Sequence, residues 1–261
     1  MIKPEHPAKA GREVQRRYSA VDVRVFTGDE AARFILDSGG DPHRDMLLAW
    51  ELLYRLEPDL YDRLASAERL HPGILAWLPR DVHRIAEVGA GTGRLTLELV
   101  DRAREIVAVE PAAPLRRILK RKLAGADRGG RVQVVPGFFD DLPLPDDFAD
   151  LAVACSAFTP APEHGGEAGL AEMERVCKPG GCVAIVWPNN LDWLAARGYR
   201  YVSFPGPMCA EFASAGEAAE LAEIFSPRAA AEVRRRGRSQ VPFEVLGINP
   251  PRDVAFRVLE R

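Results

Sequence analysis

Three glycines at alternate positions, Gly89, Gly91 and Gly93 in "IAEVGAGTGRL", follow a short apolar run, and Glu110 closes the next such run, "IVAVE". Residues of these types act largely through the main chain. Glycine tolerates positive φ and lets bare amides and carbonyls approach a ligand that a Cβ would hold off. A carboxylate ending the second strand, roughly 20 residues past the first glycine, is placed to accept hydrogen bonds from both hydroxyls of a ribose. A dinucleotide turn reads G-x-G-x-x-G, because its third glycine admits close helix packing beneath a pyrophosphate. Counted from Gly89, that third position is Arg94. The turn is therefore a poor pyrophosphate cradle, and an NAD(P)-dependent oxidoreductase becomes the alternative to some other ribose-bearing ligand. One further group fits acid–base work: His164, in "TPAPEHGGE", with Glu163 and His71 as secondary candidates.

The elements that must position these residues follow from the hydrophobic pattern. "RIAEV", "EIVAVE", "RVQVVP", "DLAVAC" and "CVAIVW" are short, mostly apolar runs of the kind that form strands covered on both faces. Helical patterns alternate with them. "PLRRILKRKL" puts Leu115, Ile118, Leu119 and Leu123 on one face, "GLAEMERVCKPGG" does the same with Leu170, Met173, Val176 and Cys177, and "RLTLELV" follows the glycine turn. The alternation predicts a doubly wound, mostly parallel α/β sheet with right-handed crossovers. Ligands of such sheets bind outside the carboxyl ends of the strands, which puts the loop of His164 on the same side as the glycine turn. "YRYVSFPG" and "PFEVLGI" read as two late strands, separated by a helical stretch interrupted at Pro227.

Upstream, residues 1–20 suit a flexible arm, 21–80 an N-terminal helical cap, and 81–261 the ligand-binding domain. In "HRDMLLAWELLYRLEP" the side chains of Arg44, Glu51 and Arg55 form one polar stripe on an otherwise apolar helix that Pro58 ends. A second amphipathic stretch runs on to Pro79. Trp50, Tyr54 and Tyr61 are candidates to roof a pocket, together with Phe158 and "WPNNLDWL".

Composition sets the outer bounds. The 261 residues are 47% hydrophobic, and 35 Lys plus Arg against 38 Asp plus Glu leave a net charge of −3. No global field pulls the chain toward nucleic acid or an anionic membrane. No apolar run approaches the roughly 20 residues that span a bilayer, and the N-terminus lacks the apolar centre of a secretory signal, so a cytoplasmic protein is expected. Cys155, Cys177, Cys182 and Cys209 show no metal-site or redox spacing, and no metal is expected. The run "RRRGR" at 234–238 reads as a cationic helix C-terminus stopped by Gly237.

Between Arg84 and Pro188 the chain resembles the class I S-adenosylmethionine-dependent methyltransferases, in their small-molecule, type 11-like branch. "EVGAGTG" matches the family's E/D-x-G-x-G-x-G signature, "VAVEP" its acidic second strand, "GFFDDLPLPDDFADLAVA" its third-strand loop and fourth strand, and "MERVCKPGGCVAIVW" its last helix, turn and fifth strand. The resemblance implies a Rossmann-like sheet of seven strands, one of them antiparallel, with the late strands as its last hairpin. It assigns Glu87 to the turn and the ligand's amino group. Gly89, Ala90, Gly91 and Gly93 would lie along the methionine moiety, Glu110 on the ribose, and Pro111 and Ala112 at the adenine edge. The family commonly carries an acidic residue directly after the third-strand glycine, where this chain has Phe138. Adenine contact then passes to Asp140 or to the rings of Phe138 and Phe139. Residues "CSAF", Cys155 to Phe158 and opening with Cys155 and Ser156, would flank the sulfonium and face the acceptor.

A sulfonium methyl is already activated, so the protein chiefly holds a nucleophile in line and excludes water. A base such as His164 matters only for an acceptor that must lose a proton. The fourth-strand end lacks the D/N-P-P-Y/W arrangement that grips a base amine, so a small, partly apolar acceptor is expected and nucleic acid is not. A non-catalytic protein that binds S-adenosylmethionine or S-adenosylhomocysteine is the third reading, and oligomeric state is not legible.

Overall fold

A computed structural model describes Val14 and residues 18–260. Most of the expected arm, residues 1–13 and 15–17, lies outside the described residues. The sheet is built from β1 (Val82–Val88), β2 (Ala103–Val109), β3 (Val132–Val135), β4 (Ala149–Cys155), β5 (Cys177–Val186), β6 (Arg200–Ser203) and β9 (Asp253–Val258), in the order β3-β2-β1-β4-β5-β9-β6. β9 runs antiparallel to both its neighbours and the other pairs are parallel. The expected seven-stranded, mostly parallel sheet is thus present.

Burial explains why its central strands are continuous apolar runs. Ile85, Ala86, Ile106, Ala108, Leu151 and Val153 are all fully buried, with helices on both faces. On one face Ile85, Ile106 and Leu151 share a core with Leu53, Leu60, Leu64 and Ile74 from helices Pro42–Leu56, Pro58–Ala67 and Pro72–Trp77. Each of those helices opens on a proline, whose missing N–H costs nothing in a first turn. On the other face, helix Gly166–Val176 buries Leu170, Met173 and Val176 against Ala86, Ala152 and Val183. Helix Ala113–Ala126 buries Leu115, Ile118, Leu119 and Leu123, the face its spacing predicts.

The late elements differ from expectation. "PFEVLGI" is not a strand. Pro242 caps a short helix, Phe243–Leu246, with Phe243 and Leu246 buried, and Gly247 at φ 72° stops it. The strand that completes the sheet is "DVAFRV", inserted between β5 and β6. Between β6 and β9 the chain forms a separate hairpin, β7 (Cys209–Glu211) with β8 (Gln240–Pro242), and helices Ala215–Phe225 and Ala230–Arg236. The cationic run does end a helix at Gly237, φ 58°, and its arginines pair with Glu223 and Glu232.

Two other expectations are corrected. The helix after the glycine turn is a single turn, Thr96–Leu99, because Leu95, Leu99 and Val100 are drawn into the core at once. The helix Gly166–Val176 stops before Cys177, because Cys177 already opens β5 and pairs with Ala149 of β4.

Candidate functional site

Register brings the chemistry-bearing strand ends level. Glu87 lies opposite Ala108 and Val88 opposite Val109, so Gly89 and Ala90 donate their amides to the Val109 carbonyl at 2.9 and 3.0 Å. The turn then bends through Gly89, Gly91 and Gly93 at φ 71°, 57° and 99°, a region L side chains resist. The glycines have different neighbours. A Cβ on Gly93 would meet Leu119 at 2.7 Å, so Gly93 serves packing; a Cβ on Gly91 would meet the Tyr61 hydroxyl at 3.3 Å. At Gly89 the crowding comes from Ala157 at 2.8 Å and Phe139 at 3.0 Å.

Glu110 is buried and holds the turn in place. Its Oε2 accepts the Gly91 N–H at 2.9 Å and its Oε1 the Ala112 N–H at 2.8 Å. A carboxylate offers about four acceptor positions, so each oxygen keeps one for an incoming hydroxyl. Burial pushes its pKa up to about 7, against the pull of those two amides. Glu87, buried at the end of β1, is pushed up to about 8 by burial, with Thr96 opposing the shift. Its Oε2 has no hydrogen-bond partner among the described residues, which leaves an acceptor for a cationic or N–H donor.

Beyond the turn, the strand ends are strained. Ser156, after β4, and Trp187, after β5, both sit at positive φ, 54° and 52°. Such non-glycine residues cost about 1–3 kcal/mol each and cluster where backbone is aimed at a ligand. Ser156 donates its amide to Val186, and the Trp187 indole donates to the Asn249 carbonyl at 3.0 Å, so both turns are fixed from outside.

Aromatic side chains cover this floor. Tyr61, over Gly91, lies 4.7 Å from Tyr54, and Trp50 stacks on Phe225 at 5.7 Å. Phe225 belongs to the insertion between β6 and β9, which Arg63 also ties down through Glu217 and Glu220. Beside these rings runs a buried charged chain. Arg55 donates to Glu51 at 2.6 Å and to Glu30 at 3.1 Å, between the rings of Phe26 and Phe34 at 4.6 and 4.9 Å. Glu51 and Arg55 are therefore not a solvated stripe. Each is 7% exposed, because the segment carrying Phe26, Glu30 and Phe34 folds over their helix.

The structure brings Glu87, Gly89, Ala90, Gly91, Gly93, Glu110 and Pro111 together around one turn, with Phe139 against it and Cys155 one residue beyond Ala154, which lies opposite Val88. Ser156 shares that edge. Phe138 and Asp140 lie off to the side: the Arg33 guanidinium sits 4.2 Å from the Phe138 ring and forms an ion pair with Asp140. His164 lies against Glu51, its Nε2 at 3.3 Å from Oε1. His71 is elsewhere, accepting the Gly73 amide and stacking on Phe204, so it acts as a helix cap. Sequence reasoning covered Ala157 within "CSAF" and missed the burial of Arg55 and the part played by the insertion's Phe225. The i, i+4 spacing of Glu51 and Arg55 was visible but says nothing of burial.

Residues 85–181 match a family model described as a methyltransferase domain. An uncharacterized methyltransferase of Mycobacterium bovis is 30% identical over 133 residues, covering 49% of this chain and 50% of its own length. One of Schizosaccharomyces pombe is 29% identical over 146 residues, 52% of this chain and 54% of the relative. The chain thus spans about half the length of these curated relatives. Among solved structures, the YcgJ protein of Bacillus subtilis aligns with TM-score 0.46 and 15% identity over 73% of this chain and 100% of that one.

Proposed function

We propose, from the premise that residues 85–181 are a methyltransferase domain of the class I S-adenosylmethionine-dependent superfamily, that the whole chain transfers a methyl group from S-adenosylmethionine to a small-molecule acceptor. Glu110 carries this reading. Its carboxylate is buried, anchored by two backbone amides, and retains one acceptor position on each oxygen, which suits a vicinal diol. Glu87, with an unsatisfied oxygen beside the turn, would meet the ligand's ammonium. Gly89, Ala90 and Gly91 would lie along its methionine part, Pro111 and Phe139 near its adenine, and Cys155 and Ser156 toward the acceptor. Phe138 and Asp140, engaged with Arg33, would border the adenine from outside.

When bound, the cofactor supplies the electrophilic methyl. The chain's own residues hold it, orient the acceptor and exclude water. Trp50, Tyr54, Tyr61 and Phe225 form the apolar wall suited to that exclusion. The arginines of the 234–236 run are paired with Glu223 and Glu232, which supports a small acceptor over a nucleic acid. No helix among the described residues is long and apolar enough to cross a membrane; a cytoplasmic setting is part of the proposal.

Calorimetric titration tests the reading. S-adenosylmethionine and S-adenosylhomocysteine should bind with heat, and NAD and NADP should not. In a thermal-shift assay, ligand at 100 times its Kd should stabilise the fold by about 2.7 kcal/mol. No heat from either sulfur ligand would remove the proposal. Binding without S-adenosylhomocysteine release across an acceptor panel would leave a non-catalytic binder.

A further inference from the structure

The Glu51–Arg55–His164 cluster joins two residues upstream of the matched methyltransferase domain to one inside it. Glu51 and Arg55 come from helix Pro42–Leu56, and His164 from the loop that follows β4. Arg55 has a side chain only 2% exposed and donates to one Glu51 oxygen at 2.6 Å, which fixes the orientation of that carboxylate. The other oxygen faces His164 Nε2 at 3.3 Å. That nitrogen is buried and satisfies no aligned hydrogen bond, so a small rotation of the ring would close the contact. The dyad borders the glycine-turn floor, because Gly165, next to His164, packs on Phe158, whose ring lies 4.8 Å from Phe139, the ring set against Gly89. Arg44 and Glu163 are the other charged side chains lining the hollow beside the imidazole.

We propose that Glu51 is a positioning residue that turns the His164 imidazole into a base, and hence that the acceptor is a hydroxyl compound, such as a phenol, that must shed a proton. This rests on the methyltransferase reading above. With Nε2–H directed at Glu51, the neutral ring keeps its lone pair on Nδ1. As the new oxygen–carbon bond forms and the carbon–sulfur bond breaks, its electron pair stays on sulfur and the acceptor's proton passes to Nδ1. The imidazolium so formed is neutralised by Glu51, and Glu51 in turn by Arg55. An acceptor already ionised near neutral pH, such as a thiophenol, would need none of this.

Two measurements test it. In protein labelled with 15N at histidine, the neutral form of His164 should show the Nε2–H tautomer. Glu51→Ala should give a mixture of tautomers, and an unchanged spectrum would overturn the positioning role. In turnover with catechol, thiophenol and aniline as probes, His164→Ala should lower kcat for catechol by about 100-fold and Glu51→Ala by about 10-fold. Thiophenol turnover and S-adenosylmethionine affinity should change by less than about threefold, and Glu51→Asp should recover part of the loss. Glu51→Gln, which keeps the side chain's shape, serves if the alanine variant unfolds. Equal losses for catechol and thiophenol, or a matching loss of cofactor affinity, would make the cluster a structural clasp and sink the proposal. So would methylation of aniline or thiophenol but never catechol. If the cofactor itself gives no heat, the functional reading has failed instead, and the tautomer experiment still reports on the pair.

Discussion

The floor and the roof of the cleft are held by different forces. The floor, the ends of β1, β2 and β4, is fixed by main chain: amides of Gly89 and Ala90 on Val109, of Gly91 and Ala112 on Glu110, and of Ser156 on Val186. The roof is fixed by side chains far apart in sequence: Arg55 between Phe26 and Phe34, Trp50 on Phe225, and Arg63 on Glu217 and Glu220. Backbone-fixed parts are set by φ and tolerate few residue types, whereas a side-chain roof can be rebuilt as long as charges stay paired and volume is kept. A floor of fixed shape under a roof that can vary is what such an arrangement permits.

The largest expected effect is in the roof. Arg55→Met leaves Glu51 buried beside Glu110 with its main counter-ion gone, which should cost about 3–5 kcal/mol in urea unfolding. Replacing Glu51 by leucine as well should restore most of that loss, since a buried pair exchanged for apolar groups is often neutral. If the double variant is as unstable as the single one, the roof is not rebuildable and the contrast with the floor is lost.

Next come the floor carboxylates, through pH. Glu87 is raised to about 8 in the folded state, above the ordinary value of about 4.3. Its contribution is therefore fully present below that ordinary value and is lost as pH rises through about 8. Glu87→Gln should flatten this slope, making the variant more stable than the parent at high pH by on the order of a few kcal/mol. Chemical denaturation across that range would show it, and parallel curves would refute it. A cationic ligand favours ionised Glu87 and Glu110, so its affinity should rise with pH as Glu110 titrates near about 7.

Glu110→Ala should weaken S-adenosylmethionine binding by about 2–3 kcal/mol, roughly 100-fold, through the loss of charge-assisted bonds to the ribose. An unchanged Kd by calorimetry would contradict the assignment of the floor.

How much of this was legible follows from the same difference. Gly89, Gly91 and Gly93 announce the floor because only glycine suits their φ, and the buried strands announce themselves as apolar runs. Glu110 could be placed because parallel register fixes how far a second strand end lies from the first turn. The roof leaves no such trace. Glu51 and Arg55 look like a solvent-facing pair until Phe26 and Phe34 are packed over them. "PFEVLGI" has strand-like residues, yet Pro242 and Gly247 punctuate it as a helix, and the choice of "DVAFRV" for the sheet depends on a gap between β5 and β6 that no local pattern describes.

The smallest effect should come from the ion pairs that join roof to insertion. Arg63 makes three short contacts with Glu217 and Glu220, and they hold its charge firmly, its pKa being raised by those bonds. Its side chain is nonetheless 37% exposed, and water and salt screen what the distances suggest. Arg63→Ala should cost no more than about 1 kcal/mol, and the difference should shrink in high salt. Phe225→Ala should cost more, about 3 kcal/mol or above, because it removes a buried ring from the core as well as the stack on Trp50. Thermal melts of both variants at low and high salt decide the order. Were Arg63 the costlier of the two, the insertion would be held by charge rather than by packing, and salt would then loosen the roof while leaving the main-chain floor intact.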